Sequence, residues 1–269
     1  MKDRFYKLFG TKKPIIAMVH LGALPGSPLY NKEIGITGLI KEAKKDLEAL
    51  QTAKFDAIMF GNENDRPYQL TVDTASTAAA AYIIGELKKD IKIPFGVDML
   101  WDPIATIALG TATKANFVRE IFTGTYSSDM GIWAPDAGKA LRYRKNLGGE
   151  EMLLFFNISA EFAYSQDRRS LQDRARSVVF SSLPDAILVS GQITGEAASI
   201  NDLISVKKAL PNTPVLANTG VKHDTVTQVL TTVDGCIVGS SLKEDGDTWK
   251  PVNPERAIEF MNIVNKFRT

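Results

Sequence analysis

Charged side chains stand in this sequence just after short apolar runs, and their types suit proton transfer. His20 follows the run 15–19, and Glu63 follows 57–60 with Asn62, Asn64 and Asp65 around it. Asp98 lies at the end of 95–99, with Asp102 just beyond, and Arg119 and Glu120 follow 115–118. An imidazole titrates near neutrality, and burial moves a carboxyl toward it. His20, Glu63 and Asp98 are therefore candidate acids and bases, with Arg119 placed to stabilise developing negative charge. Asn157, after 152–156, and Ser190, after 186–189, would line the same site with Asn62 and Glu120. Two alternatives stay open. Asp98, Glu63 and His20 could give a divalent ion oxygen-rich ligation, although no metal-spacing motif is present and no cofactor is assigned. Or Arg119 could pair with Asp98 or Glu63 in an ion-pair ring that plugs the site.

A second signal lies nearer the C-terminus. Asn218-Thr219-Gly220 follows the run 214–217, and Gly239-Ser240-Ser241 follows 235–238, with Lys243 just beyond. Small residues let backbone N–H groups approach an anion closely, so these two turns are expected to cradle a phosphate. The alternative is two tight turns that need small residues for geometry. A small phosphorylated sugar is the ligand expected, with lyase, isomerase or epimerase chemistry. Schiff-base chemistry is disfavoured because no apolar run has a lysine in its second half. Cys236 opens its run, on the wrong side for a nucleophile, and no GxSxG elbow occurs. His223 is expected to cap a helix or face solvent.

These residues need a scaffold that brings many run ends to one place. The apolar runs 15–19, 57–60, 95–99, 115–118, 152–156, 186–189, 214–217 and 235–238 alternate with segments of helical periodicity. Those segments are 38–53, 76–89, 104–113, 137–146, 170–181, 201–209, 223–231 and 254–267, with Asn201 an expected helix cap. Short runs that are apolar throughout suit parallel strands buried on both faces. Eight such units predict a (β/α)₈ barrel, a single domain over 1–269, with its working site at the strands' C-terminal ends. An open doubly wound sheet is the alternative. It would usually carry GxGxxG after the first strand, and here 20–26 run His-Leu-Gly-Ala-Leu-Pro-Gly. The long segment 123–136, with Tyr126, Asp129, Trp133 and Pro135, is expected to be a lid or a packed connector.

Composition narrows the classes further. Of 269 residues 44% are hydrophobic and 23% charged, and the formal net charge is +1. A near-neutral chain without a basic stripe does not suit nucleic acid. No stretch approaches the ~20 apolar residues of a membrane span, and the N-terminus lacks a signal peptide's apolar core, so a cytoplasmic protein is expected. The one cysteine excludes a disulfide within the chain. Homo-oligomerisation is expected only because barrels often dimerise.

Four segments carry a family likeness. They are Met18-Val19-His20-Leu21-Gly22-Ala23-Leu24-Pro25-Gly26-Ser27; Phe122-Thr123-Gly124-Thr125-Tyr126 with Asp129-Met130-Gly131; Val215-Leu216-Ala217-Asn218-Thr219-Gly220-Val221; and Ser240-Ser241-Leu242-Lys243-Glu244-Asp245-Gly246. Together they resemble the BtpA/SgcQ family, and the likeness runs from about Phe5 to Phe267. It implies a TIM barrel of the ribulose-phosphate-binding group. Phe60-Gly61-Asn62-Glu63 and Asp98-Met99-Leu100-Trp101-Asp102-Pro103 resemble the SgcQ branch. BtpA-like members tend to have an acid where Gly61 stands and Arg-Asn-Asp where Trp101-Asp102-Pro103 stands. They also tend to have Asn for Asp98 and Asp for Asn157. The SgcQ branch accompanies carbohydrate phosphotransferase genes, which implies a phosphorylated sugar. The BtpA branch is associated with photosystem I biogenesis, which implies the alternative of a noncatalytic assembly or regulatory protein.

Overall fold

The computed structural model describes residues 2–269. Along the chain come α1 (Lys2–Phe9), β1 (Ile15–His20), α2 (Gly35–Thr52), β2 (Ala57–Gly61), α3 (Thr74–Leu87), β3 (Phe95–Asp98) and α4 (Pro103–Thr113). Next are β4 (Phe117–Glu120), β5 (Tyr126–Ser128), β6 (Gly131–Trp133), α5 (Ala137–Asn146), β7 (Leu153–Asn157) and β8 (Ala163–Ser165). The last third holds α6 (Leu171–Ser182), β9 (Ala186–Val189), α7 (Ile200–Ala209), β10 (Val215–Ala217), α8 (Val226–Thr232), β11 (Cys236–Val238) and α9 (Pro254–Arg268). Eight strands close a barrel in the order β1-β2-β3-β4-β7-β9-β10-β11, and β11 returns to β1 with Ile15 beside Cys236. All the barrel pairings are parallel. The chain is a (β/α)₈ barrel, as the alternating runs predict.

Strand side chains alternate between two faces. Ile15, Ala17, Val19, Ile58, Phe60, Val97 and Val118 face the surrounding helices in one large core. Ile16, Met18, Ala57, Met59, Phe117, Leu153, Phe155, Ala186, Leu188, Leu216 and Ile237 fill the barrel interior. Phe117 and Phe155 stack there at 4.8 Å, and Gly96 makes room, since a Cβ on it would stand 2.2 Å from the Phe117 ring. Below them α1 closes the N-terminal end, setting Phe5 5.7 Å from Phe155 and Phe9 5.8 Å from Phe117, ring centre to ring centre. This helix was not expected. Its pattern spans only two turns, too few for periodicity to declare it, and tertiary packing stabilises it.

The structure shifts some expected boundaries. The fourth barrel strand begins at Phe117, two residues later than expected, and ends in Arg119 and Glu120. Helix α7 starts at Ile200 after Ser199, so Asn201 lies inside it and is not the cap. His223 precedes α8 and bonds Ser241 Oγ at 3.0 Å and the Arg256 carbonyl at 2.9 Å, so it ties its loop to the turn after β11 and to the first turn of α9 instead of capping a helix or facing solvent. Within 123–136 a hairpin forms, and β8, from the loop after β7, joins it in a small antiparallel sheet of order β6-β5-β8. No helix among the described residues is long and apolar enough to cross a membrane.

Candidate functional site

The alternation that fills the barrel also builds its upper floor. Two residues beyond Met18, Phe117, Phe155, Leu188, Leu216 and Ile237 stand His20, Arg119, Asn157, Ser190, Asn218 and Gly239. Strand period two therefore turns these side chains toward the barrel axis, one layer above the apolar plug. On β2 the equivalent position is Gly61, and on β3 it is Asp98. Gly61 leaves a hole that Glu63 fills by folding back: a Cβ at 61 would lie 2.6 Å from Glu63 Oε2. An acid at this position would displace the Glu63 carboxyl.

His20 Nε2 lies 3.4 Å from Glu63 Oε1, and both side chains are buried. Burial, aided by the nearby Asp98 charge, pushes the Glu63 carboxyl up to about 8. Burial, with Lys243 nearby, holds the imidazole well below its ordinary value. At neutral pH the pair is largely a protonated carboxyl beside a neutral imidazole, two groups that can pass one proton. Glu63 Oε2 and His20 Nδ1 are buried with no hydrogen-bond partner among the described residues. Gly239 leaves space for the ring, since a Cβ there would stand 3.1 Å from His20 Cε1.

Arg119 sits between carboxylates, with Nη1 3.1 Å from Asp98 Oδ2 and Nη2 3.3 Å from Glu161 Oε1. Burial raises the proton affinity of Asp98, Glu120 and Glu161 against the pull of the guanidinium. One buried cation faces more carboxyls than it can neutralise, so some of them keep protons at neutral pH. Glu120 accepts from the amides of Trp101 at 3.0 Å and Ile121 at 2.9 Å, which pins the loops after β3 and β4.

One cavity opens on this floor. Its lining includes His20, Glu63, Arg119, Glu120, Asn157, Asn218, Thr219, Gly220, Gly239 and Ser240 of the residues singled out from sequence. Asp98, Asn62, Ser190 and Ser241 are not on it. Asp98 is 1% exposed behind Arg119, the ion pair offered as the plainer alternative. Asn62 accepts from Leu100 N at 2.8 Å and donates to Asp65 at 3.3 Å, joining two loops. Ser190 Oγ accepts from Asn157 at 2.6 Å and Asn218 at 2.8 Å, a belt that aligns both amides. Ser241 turns to His223 in an adjoining crevice that shares Gly220, Gly239 and Ser240 with the cavity and also holds Lys222 and Arg256.

The two small-residue turns are held from behind. Thr219 Oγ1 accepts from Gly191 N at 3.0 Å and donates to the Glu196 carbonyl at 2.7 Å. Gly220 packs so tightly on this loop that a Cβ would stand 2.1 Å from Ala197 N. Ser240 opens a short 3₁₀ turn, whose first amides have no partner within the turn. Lys243, expected near the anion, is instead 2% exposed and paired with Asp46 of α2 at 3.0 Å. Cys236 lies at the start of β11, buried, with its thiol pushed up to about 12. Among the described residues no three or more His, Cys, Asp or Glu side chains are grouped to hold a metal ion. His20 and Glu63 meet, while Asp98 is engaged by Arg119.

Comparison with known proteins places this barrel. The BtpA family model matches residues 11–266. The chain belongs to the BtpA family. It is 43% identical over 262 residues to the sgc region protein SgcQ of Escherichia coli, covering 97% of this chain and 98% of that one. It is 29% identical over 262 residues to the photosystem I biogenesis protein BtpA of Synechocystis, covering 96% of this chain and 90% of that one. Among solved structures, geranylgeranylglyceryl phosphate synthase of Thermoplasma acidophilum, in complex with sn-glycerol-1-phosphate, superposes with a TM-score of 0.64. That match covers 99% of this chain and 98% of the synthase at 12% identity, and it bears on the fold alone.

Sequence reasoning missed Glu161, Leu100, Trp101, Ile121 and Phe162, all on the cavity lining. Glu161 and Phe162 come from the loop after β7, and Leu100 and Trp101 from the turn after β3. The one available signal was Asp102-Pro103, a helix cap followed by a first-turn proline. Asp102 accepts from Ile104 and Ala105, which fixes the turn that carries Trp101.

Proposed function

We propose that this BtpA-family barrel is an enzyme that moves a proton beside a carbonyl of a small phosphorylated sugar, in isomerase, epimerase or lyase chemistry. The observation that carries this reading is the His20–Glu63 pair on the cavity floor, with a carboxyl pushed up to about 8 and one oxygen without a partner. A base that titrates near the working pH is matched to abstracting and returning a proton. Arg119 would stabilise the enolate oxygen formed in between. The phosphate would rest against Gly220, Gly239 and Ser240 in the turns after β10 and β11, where many barrels hold one. The synthase of the same fold takes sn-glycerol-1-phosphate, a phosphorylated ligand of the class proposed.

The first test is thermal unfolding with a panel of phosphorylated sugars, their unphosphorylated forms and inorganic phosphate. A ligand at 100 times its dissociation constant stabilises the fold by about 2.7 kcal/mol. A shift confined to phosphorylated members and lost in Ser240→Glu is expected. The second test follows hydrogen exchange at the carbon beside the carbonyl of the bound sugar in deuterated water. Glu63→Gln should stop exchange while keeping the thermal shift. If neither phosphate nor any sugar phosphate shifts the unfolding temperature, the reading fails, and the noncatalytic assembly role takes its place.

A further inference from the structure

Proton transfer and phosphate binding leave one wall of the cavity unused. Leu100, Trp101, Ile121 and Phe162 form it, from the loops after β3, β4 and β7. In the closed order β3 and β4 stand across the barrel from β10 and β11. The apolar wall therefore faces the turns assigned to the phosphate.

The wall is rigid and costly to build. Trp101 has φ 74° and Phe162 has φ 52°, left-handed backbone that bulky side chains rarely adopt. Residues held in such backbone are strained and gather at ligand clamps. Both are fixed by hydrogen bonds, Trp101 N to the Glu120 carboxylate at 3.0 Å and Phe162 N to the Gln192 carbonyl at 2.8 Å. The Trp101 ring packs edge-to-face on Trp133, which does not line the cavity, and meets Phe162 at 60° in a corner that does. Trp101 Nε1 is buried with no partner among the described residues. An indole N–H left without an acceptor is a standing cost that a ligand could remove.

We propose that this corner takes a flat ring with a hydrogen-bond acceptor on its edge, and that the ring is carried by the phosphorylated sugar. The substrate is then a ring-bearing sugar phosphate whose carbonyl stays free or is masked only as a ring-opening glycosylamine; a nucleotide serves as a binding probe for the ring and not as the substrate. The inference rests on the sugar-phosphate reading of the opposite wall. A ring offers a face to Phe162 and an acceptor to Trp101 Nε1, whereas an alkyl group offers no acceptor.

Calorimetric titration with adenosine 5′-monophosphate, ribose 5-phosphate, butyl riboside 5-phosphate and inorganic phosphate tests this. The nucleotide should bind about tenfold more tightly than ribose 5-phosphate, the ratio one stacked base supplies. Trp101→Leu should erase that advantage and keep the affinity for inorganic phosphate. Trp101→Phe, which keeps an aromatic ring but removes the N–H and part of the indole, should erase part of it. Equal binding of nucleotide and ribose 5-phosphate, or butyl riboside matching the nucleotide, overturns the ring and leaves the sugar-phosphate reading standing. Binding of inorganic phosphate alone overturns the ring as well. If no probe binds, phosphate included, the underlying reading fails and takes the ring with it.

Discussion

The two ends of this barrel are built by the same strands and do opposite things with buried groups. At the N-terminal end, Phe5, Phe9, Phe117 and Phe155 pack ring on ring, and the buried carboxylates beside them, Asp185 and Asp234, are each met by a strand amide and a basic side chain. At the C-terminal end, the same inward positions carry His20, Arg119 and Asn157, and the space above is left open as a cavity. Apolar burial stabilises without condition, whereas a buried carboxyl cluster is tolerated at a cost. The stability of the chain thus comes from one end and allows the other to hold groups that would rather be in water.

The largest test of this contrast is Phe155→Ala. It should cost about 3–5 kcal/mol by denaturant unfolding, with ligand affinity at the far end unchanged. Arg119→Leu should cost about 3 kcal/mol at pH 8, because it leaves buried carboxylates without their cation. That loss should shrink at pH 5, where Asp98 and Glu161, whose proton affinities are raised, take up protons. An equal loss at both pH values would mean that the upper end is held by packing, like the lower.

Glu63 gives the contrast a pH signature. Its folded value of about 8 lies above the ordinary carboxyl value of 4.5, so the folded state holds a proton that the unfolded state has released. Stability from this group is greatest below the unfolded value and falls as pH rises toward about 8. The slope is on the order of 1 kcal/mol per pH unit. Glu63→Gln should flatten the unfolding profile across that window and be more stable than the native chain at pH 8. Gly61→Ala should cost about 1–2 kcal/mol and push the Glu63 carboxyl off its site. Gly239→Ala, with its Cβ 3.1 Å from the His20 ring, should cost no more than about 1 kcal/mol. Its effect should appear chiefly in the His20 chemical shift.

What was legible in the sequence follows the same division. Alternating apolar runs and helices announce the barrel because local period and burial agree at every unit. His20, Glu63 and Arg119 were legible because strand ends converge in this fold. Asp98 and Asn62 carry the right chemistry at the right places, yet the structure turns them to Arg119 and to neighbouring loops. A sequence shows which residue is near an axis, not which partner its last two bonds select. Trp101, Glu161 and Phe162 were hidden for another reason. They lie on loops whose paths are set by contacts with other loops, as when Phe162 N bonds Gln192, and no periodicity records that.

The closure of the barrel has a consequence for how the chain is made. β1 pairs on one side with β2 and on the other with β11, which lies about 220 residues later. At roughly 5–20 residues per second on the ribosome, β1 waits on the order of ten to forty seconds for that neighbour. During this interval its open edge, Ile15 to Val19, is an unpaired apolar strand exposed to whatever else is nearby. Slowing translation near the end of the message should therefore lower the yield of folded protein more than the same delay near its start.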